Sequence, residues 1–130
     1  MEVLRPSTIE EALALSVGDD TYFAAGGTLI QLDWAQGLRP TRRLVRLDGI
    51  AGLGGMEVGP GGTRIGALTT LAALERDPFV AESLPLLLAA VKATAGPSIR
   101  NLGTIGGNIA GRRGCLIPAL LVLDARLDVA

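Results

Sequence analysis

Gly103-Thr104-Ile105-Gly106-Gly107-Asn108-Ile109 is the stretch on which the reading of this chain turns. Its glycines put bare main chain beside a hydroxyl and an amide, and its isoleucines anchor the flanks in a core, so peptide N–H groups can approach a phosphate closely. A second stretch of this kind, Ala24-Ala25-Gly26-Gly27-Thr28-Leu29, lies far upstream. Brought together, the two turns would form a shared anion cradle. A plainer reading of Gly26-Gly27 stands beside ligand contact, namely a tight turn needing positive φ. Thr104 and Asn108 either bond a ligand or cap their own turn.

The composition narrows what such a cradle serves. The chain has 130 residues, enough for one modest core. Lys+Arg 12 against Asp+Glu 13 leaves a net charge of −1, so no nucleic-acid partner and no anionic membrane partner is expected. The longest apolar runs, Leu84 to Val91 and Leu116 to Leu123, are too short to span a bilayer and each contains a proline. The N-terminus lacks the pattern of a signal peptide, so a soluble, cytoplasmic protein is expected. With no histidine and a single cysteine, Cys115, the chain offers neither a metal-ligand set nor a disulfide. Most hydrolase machinery is excluded on the same ground. Aromatic residues make up only 3%, so small aliphatic side chains must fill the interior.

Along the chain, Ser7 and Glu10 have the spacing of a capping box, and the spacing of Ile9, Leu13 and Val17, with Ala12 beside them, predicts a helix to about Val17 with one buried stripe. Thr21 to Ala25 reads as a strand running into Gly26-Gly27. A helix follows from Thr28, its N-cap, to Gln36, with Gly37 just beyond its end. A phosphate at that helix start would meet unpaired N–H groups and the positive end of the dipole. Arg39-Pro40-Thr41-Arg42-Arg43 is a basic loop entering a short strand, and its charges suit a solvated sheet edge better than a pyrophosphate partner. Met56-Glu57-Val58 and Thr63-Arg64-Ile65 make a hairpin closed by Gly59-Pro60-Gly61-Gly62.

Gly66 to Thr70 is a strand exit and helix cap, before a short helix from Leu71 to Arg76 that stops at Asp77-Pro78. Ser83 is expected to cap a helix from Leu84 to Thr94, apolar nearly all round and buried on most sides, which Gly96-Pro97 ends. Ser98 to Asn101 lead into the glycine turn, where Arg100 either carries a phosphate's charge or has a structural hydrogen-bonding role. Ala119 to Ala125 is helical, and Arg126 to Ala130 alternates as a half-buried strand does. Together these elements predict an α+β fold of small mixed sheets with flanking helices, as one domain over 1–130 or two lobes, 1–55 and 56–130.

The run Ile99-Arg100-Asn101-Leu102-Gly103-Thr104-Ile105-Gly106-Gly107-Asn108-Ile109-Ala110 resembles the "IRN-x-GT-x-GGN" signature of the FAD-binding (medium) subunits of molybdenum hydroxylases, the xanthine dehydrogenase and carbon monoxide dehydrogenase type. Ala25-Gly26-Gly27-Thr28-Leu29 resembles that family's other FAD loop, and Ile65-Gly66-Ala67-Leu68-Thr69-Thr70 its intervening "IGA-x-T" segment. Three motifs in the family's order are far more specific than one glycine pattern. The resemblance implies the PCMH-like fold of the FAD-binding domain of molybdopterin dehydrogenases, cut short at its C-terminus because relatives continue into more sheet and a further domain.

The resemblance also implies FAD as cofactor, contacted by Ala24, Ala25, Gly26, Gly27, Thr28, Leu29, Thr104, Gly106, Gly107 and Asn108. It implies partners, the iron–sulfur and molybdopterin subunits of one complex, whose electrons reach an acceptor through the flavin. No residue need then act as a general acid or base. One departure stands out: after Ala110 the linker is short, and Cys115 occupies the position of an aspartate that reaches the flavin in relatives. Arg112 and Arg113 are surface charges or replacement phosphate partners. The competing expectation is a degenerate, flavin-free domain that serves as an assembly module.

Overall fold

The computed structural model describes residues 1–38, 42–112 and 114–130. Arg39-Pro40-Thr41 of the expected basic loop and Arg113 of the linker lie outside the described residues. The first half alternates strand and helix: β1 (Glu2–Leu4), α1 (Ile9–Leu15), β2 (Thr21–Ala24), α2 (Thr28–Ala35) and β3 (Arg43–Arg46). The strands form a parallel sheet in the order β1-β3-β2, with Val3 and Tyr22 flanking Leu44, and Leu4 and Phe23 flanking Val45.

Successive strand residues face opposite sides of a sheet, so Leu44 and Val45 serve two cores. Val45 is wholly buried with Ala12 and Ile50, against Leu4, Ile9 and Leu15, on the face that α1 covers. Leu44 packs with Ala24 and Ile30 on the face that α2 covers. A central parallel strand apolar on both sides is what two covered faces require.

Among the described residues the second half holds an antiparallel hairpin, β4 (Met56–Gly59) and β5 (Gly62–Ile65), and six short helices: α3 (Leu71–Arg76), α4 (Pro78–Ser83), α5 (Pro85–Lys92), α6 (Pro97–Leu102), α7 (Ile105–Ala110) and α8 (Ile117–Val122). Gly59 pairs with Gly62, leaving Pro60-Gly61 as a two-residue turn. Leu71, Leu74, Val80, Leu87, Val91, Ile105 and Leu116 make the main core, with Met56 and Ile65 of the hairpin against it. This interior is aliphatic, as the scarcity of aromatic residues requires. The expected α+β class of small sheets with flanking helices is the architecture observed, one sheet parallel and the other antiparallel.

Several local expectations are corrected. The cap of α1 is Thr8, not Ser7: the Thr8 hydroxyl accepts from the Glu11 amide at 3.1 Å, and the Glu11 carboxylate accepts from the Ser7 amide at 2.7 Å. The helix ends before Ser16, so the buried face holds Ile9, Ala12 and Leu15, while Leu13 and Val17 are exposed. Gly27, not Thr28, is the cap of α2. Ser83 does not cap α5; it is the last residue of α4, which was not foreseen. Asp77 starts α4, its carboxylate accepting from the Phe79 amide at 2.8 Å and the Val80 amide at 3.3 Å.

Prolines open α4, α5, α6 and α8, because a residue without an N–H costs nothing at a helix's first turn. Pro97 therefore both ends the run before it and begins α6, where only an approach to the glycine turn was expected. α5 is not buried on most sides: Leu87 and Val91 face the core and Leu86 is exposed, as the helical period dictates for one covered face. Arg126 to Ala130 forms no strand. It is irregular and exposed, touching β5 through an Arg64–Asp128 ion pair at 3.1 Å. Among the described residues no helix is long and apolar enough to cross a membrane.

Candidate functional site

The three glycine-bearing segments meet at one junction. Thr70 and Thr104 form an antiparallel bridge, flanked by hydrogen bonds from the Leu71 amide to the Gly103 carbonyl (2.9 Å) and from the Ile105 amide to the Thr69 carbonyl (3.0 Å). The Gly106 amide donates to the Ala67 carbonyl at 2.8 Å. Main chains approach this closely only where side chains are missing. A β-carbon at Gly106 would lie 2.7 Å from the Ala67 carbonyl oxygen and 2.8 Å from its β-carbon. Gly66 is held as tightly, its missing β-carbon 2.7 Å from the Leu53 carbonyl carbon.

The stretch expected to be a glycine turn is a short helix, and Thr104 realises the capping alternative. Thr104 is the N-cap of α7, its hydroxyl oxygen accepting from the Gly107 amide at 3.0 Å. The amides of Ile105, Gly106 and Gly107 are thus all engaged within the chain, on Thr69, Ala67 and Thr104 respectively. Neither Gly106 nor Gly107 has positive φ; their missing side chains serve packing, not turn geometry. Asn108 reaches forward, its Oδ1 accepting from the Leu116 amide at 3.3 Å. Gly114 lies under that side chain, its missing β-carbon 2.6 Å from the Asn108 Cγ.

The upstream stretch differs. Ala24 ends β2, buried in the sheet; Gly27 has φ of +74° and turns the chain into α2. No side chain caps α2, and among the described residues the amides of Gly27, Thr28 and Leu29 have no acceptor. A helix start with unpaired donors is a place where an anion is favoured by both hydrogen bonds and dipole.

Gly26 brings this start to the other stretch. Its missing β-carbon would overlap the Leu102 carbonyl and sit 3.3 Å from the Gly103 amide nitrogen. The Thr28 hydroxyl lies 3.8 Å from where a β-carbon of Gly103 would be, and the Leu29 side chain fills the space beside Gly111. Of the ten expected residues, Gly26, Thr28 and Leu29 meet the other stretch at Leu102, Gly103 and Gly111, and Thr104 and Gly106 meet the Ala67–Thr70 segment, whereas Ala24 is buried in the sheet and Asn108 turns to Leu116 and Gly114.

Arg100 does not face this junction as a free charge. Its guanidinium holds Glu75 through two bonds, at 3.1 and 3.4 Å, and donates to the carbonyls of Thr94 (3.2 Å) and Ala95 (2.7 Å). The structural alternative is the one realised, and Glu75 is the partner that sequence reading missed. A glutamate inside an ordinary helix, so far along the chain from Arg100, gives no local signal. Arg112 stands exposed at φ of +54°, in the turn that closes α7.

Similar sequences and similar folds occur among known proteins. The model of a family described as "FAD binding domain in molybdopterin dehydrogenase" matches residues 1–130. The chain is 33% identical over 129 residues to the xanthine dehydrogenase FAD-binding subunit of Escherichia coli O157:H7, covering 96% of this chain and 44% of that one. It is 37% identical over 124 residues to the carbon monoxide dehydrogenase medium chain of Hydrogenophaga pseudoflava, covering 90% and 42%. Among solved structures, reconstituted CO dehydrogenase from Oligotropha carboxidovorans superposes with a TM-score of 0.79 at 36% identity, over 85% of this chain and 39% of that one. The chain thus spans well under half the length of these relatives, yet its three glycine segments, their order and their meeting in space all fall within the matched part: it belongs to the family of FAD-binding domains of molybdopterin dehydrogenases.

Proposed function

We propose that the β2–α2 start and the α6–α7 junction together hold FAD, and that the chain is the flavin-bearing part of a molybdenum hydroxylase-type oxidoreductase. The observation that carries this is the contact of Gly26 with Leu102 and Gly103 beside the amides of Gly27, Thr28 and Leu29, which have no acceptor among the described residues. Those amides supply donors for a diphosphate without any counter-charge, so the site holds an anion through dipoles. Ala24 and Ala25 bring the strand end to the cradle, and Gly106 and Gly107 keep α7 free of bulk. Thr104 keeps its hydroxyl proton, and Asn108 its amide hydrogens, for polar groups of the ligand.

When bound, FAD supplies one- and two-electron redox chemistry, which no side chain of this protein provides. The residues bind and orient, and none is required to move a proton. The relatives are named as subunits and chains of larger dehydrogenases. The proposal therefore extends to partner subunits that carry iron–sulfur clusters and molybdopterin and pass electrons to the flavin.

Titration of the purified chain with FAD tests this. Quenching of flavin fluorescence with a structured visible absorption band is expected, and an unchanged spectrum at saturating FAD would end the assignment. One observation favours the second reading, a flavin-free assembly module: every first-turn amide of α7 is already bonded within the chain. Copurification of a colourless chain with iron–sulfur and molybdenum partners would select that reading.

A further inference from the structure

α6 ends against the cradle, yet none of its side chains belongs to the main core. None of its six residues is buried; Ile99 is 44% and Leu102 56% exposed, and no side chain caps its start. A short helix without a buried stripe is not stable by itself. Polar ties take the place of packing. Arg100, with its side chain only 11% exposed, joins Glu75 of α3 through two hydrogen bonds and the Thr94 and Ala95 carbonyls at the end of α5 through two more. One residue on, Asn101 accepts from Arg76 of α3 at 3.1 Å. The last residue of α6 is Leu102, whose carbonyl is the group pressed against Gly26. The next hydrogen bonds that leave the helix, from the Leu71 amide to the Gly103 carbonyl and from the Ile105 amide to the Thr69 carbonyl, already belong to the glycine junction.

We propose that Arg100 is a positioning residue of the flavin cradle: by clamping α6 between Glu75 and the end of α5 it sets how far the Leu102–Gly103 main chain stands from Gly26, and so the width between the two glycine segments. This rests on the FAD reading given above. Guanidinium geometry suits the task, since its planar fork meets a carboxylate through two bonds while the same group still reaches two carbonyls. A lysine offers one point charge and holds the helix less firmly. The main core of Leu71, Leu74, Leu87 and Val91 does not include α6, so loosening the clamp shifts the cradle and leaves that core packed.

The experiment compares the wild type with Arg100→Gln, Arg100→Lys and Glu75→Gln, measuring FAD affinity by fluorescence quenching and amide hydrogen exchange by mass spectrometry, well below each thermal midpoint. Arg100→Gln and Glu75→Gln are expected to weaken FAD binding about tenfold to a hundredfold, since a small misplacement of a binding group has effects of that size. Arg100→Lys is expected to recover part of that loss. Exchange is expected to quicken in peptides spanning 97–107 and to stay slow in those spanning 84–92. Wild-type affinity and wild-type exchange over 97–107 in Arg100→Gln would overturn the proposal. So would equal quickening of both regions, which marks global destabilisation. If the wild type itself binds no FAD, the cradle reading fails, and exchange over 97–107 alone then decides whether Arg100 holds α6.

Discussion

The carbonyl group of Leu102 occupies the space that a side chain on Gly26 would need: a β-carbon there would lie 2.6 Å from the carbonyl carbon. Neither group can give way without moving its whole segment, because both are main chain, one at a helix end and one at a strand-to-helix turn. Gly26→Ala is therefore expected to cost about 1–3 kcal/mol of stability, as overpacking does. It should also push the two glycine segments apart and lower FAD affinity. Urea unfolding and a flavin titration on the same sample check both parts.

Gly27 tests a different cause. Space around it is open, but its φ of +74° is one that side chains resist. Gly27→Ala should cost about 1–2 kcal/mol from backbone strain alone. Gly27→Asn, which tolerates that conformation better, should cost less. Chemical denaturation of the two variants, run side by side, gives the difference.

Thr104 is buried and caps α7 through its hydroxyl. Thr104→Val keeps the shape and removes the acceptor, so a loss of about 1 kcal/mol is expected. Thr104→Ser should retain most of the stability. Thermal unfolding separates the two, and Thr104→Val should also quicken exchange at the Gly107 amide.

Ala95 sits at φ of +49° between α5 and α6, where its carbonyl receives Arg100. Relieving that strain with Ala95→Gly is expected to stabilise the fold by about 0.5–1 kcal/mol, the relief outweighing glycine's greater freedom when unfolded. A higher urea midpoint with an unchanged slope is the expected result. A lower midpoint would show that the turn carries no strain.

FAD itself should act as a stabiliser. A ligand that binds only the folded chain adds about 2.7 kcal/mol at about a hundredfold excess over its Kd, so the thermal midpoint should climb with FAD concentration. Riboflavin, which lacks the diphosphate, should raise it far less if the α2 amides hold that group. Equal effects from the two flavins would remove the diphosphate from the site.

The local elements could be read from residues close together in sequence. Gly59-Pro60-Gly61-Gly62 specifies a hairpin because only such residues turn so tightly, Asp77-Pro78 stops α3 because proline cannot continue a helix, and the Thr21–Ala24 strand runs into Gly26-Gly27 as expected. The three glycine motifs were visible too, and with them the family. What each glycine is for was not visible. Gly27 serves backbone conformation, whereas Gly26, Gly66, Gly106 and Gly114 are small because another stretch of chain presses on them.

The sequence also left Arg100 between two roles, and only its meeting with Glu75 and the end of α5 decided for the structural one. The amides of the glycine turn expected at Gly103 to Ile109 are engaged for the same reason, since Ala67 and Thr69 arrive from elsewhere to take those of Gly106 and Ile105. Propensity, capping and turn chemistry act between near neighbours and can be read along the chain. Close approach and the pairing of buried polar groups arise between segments that only the folded chain brings together.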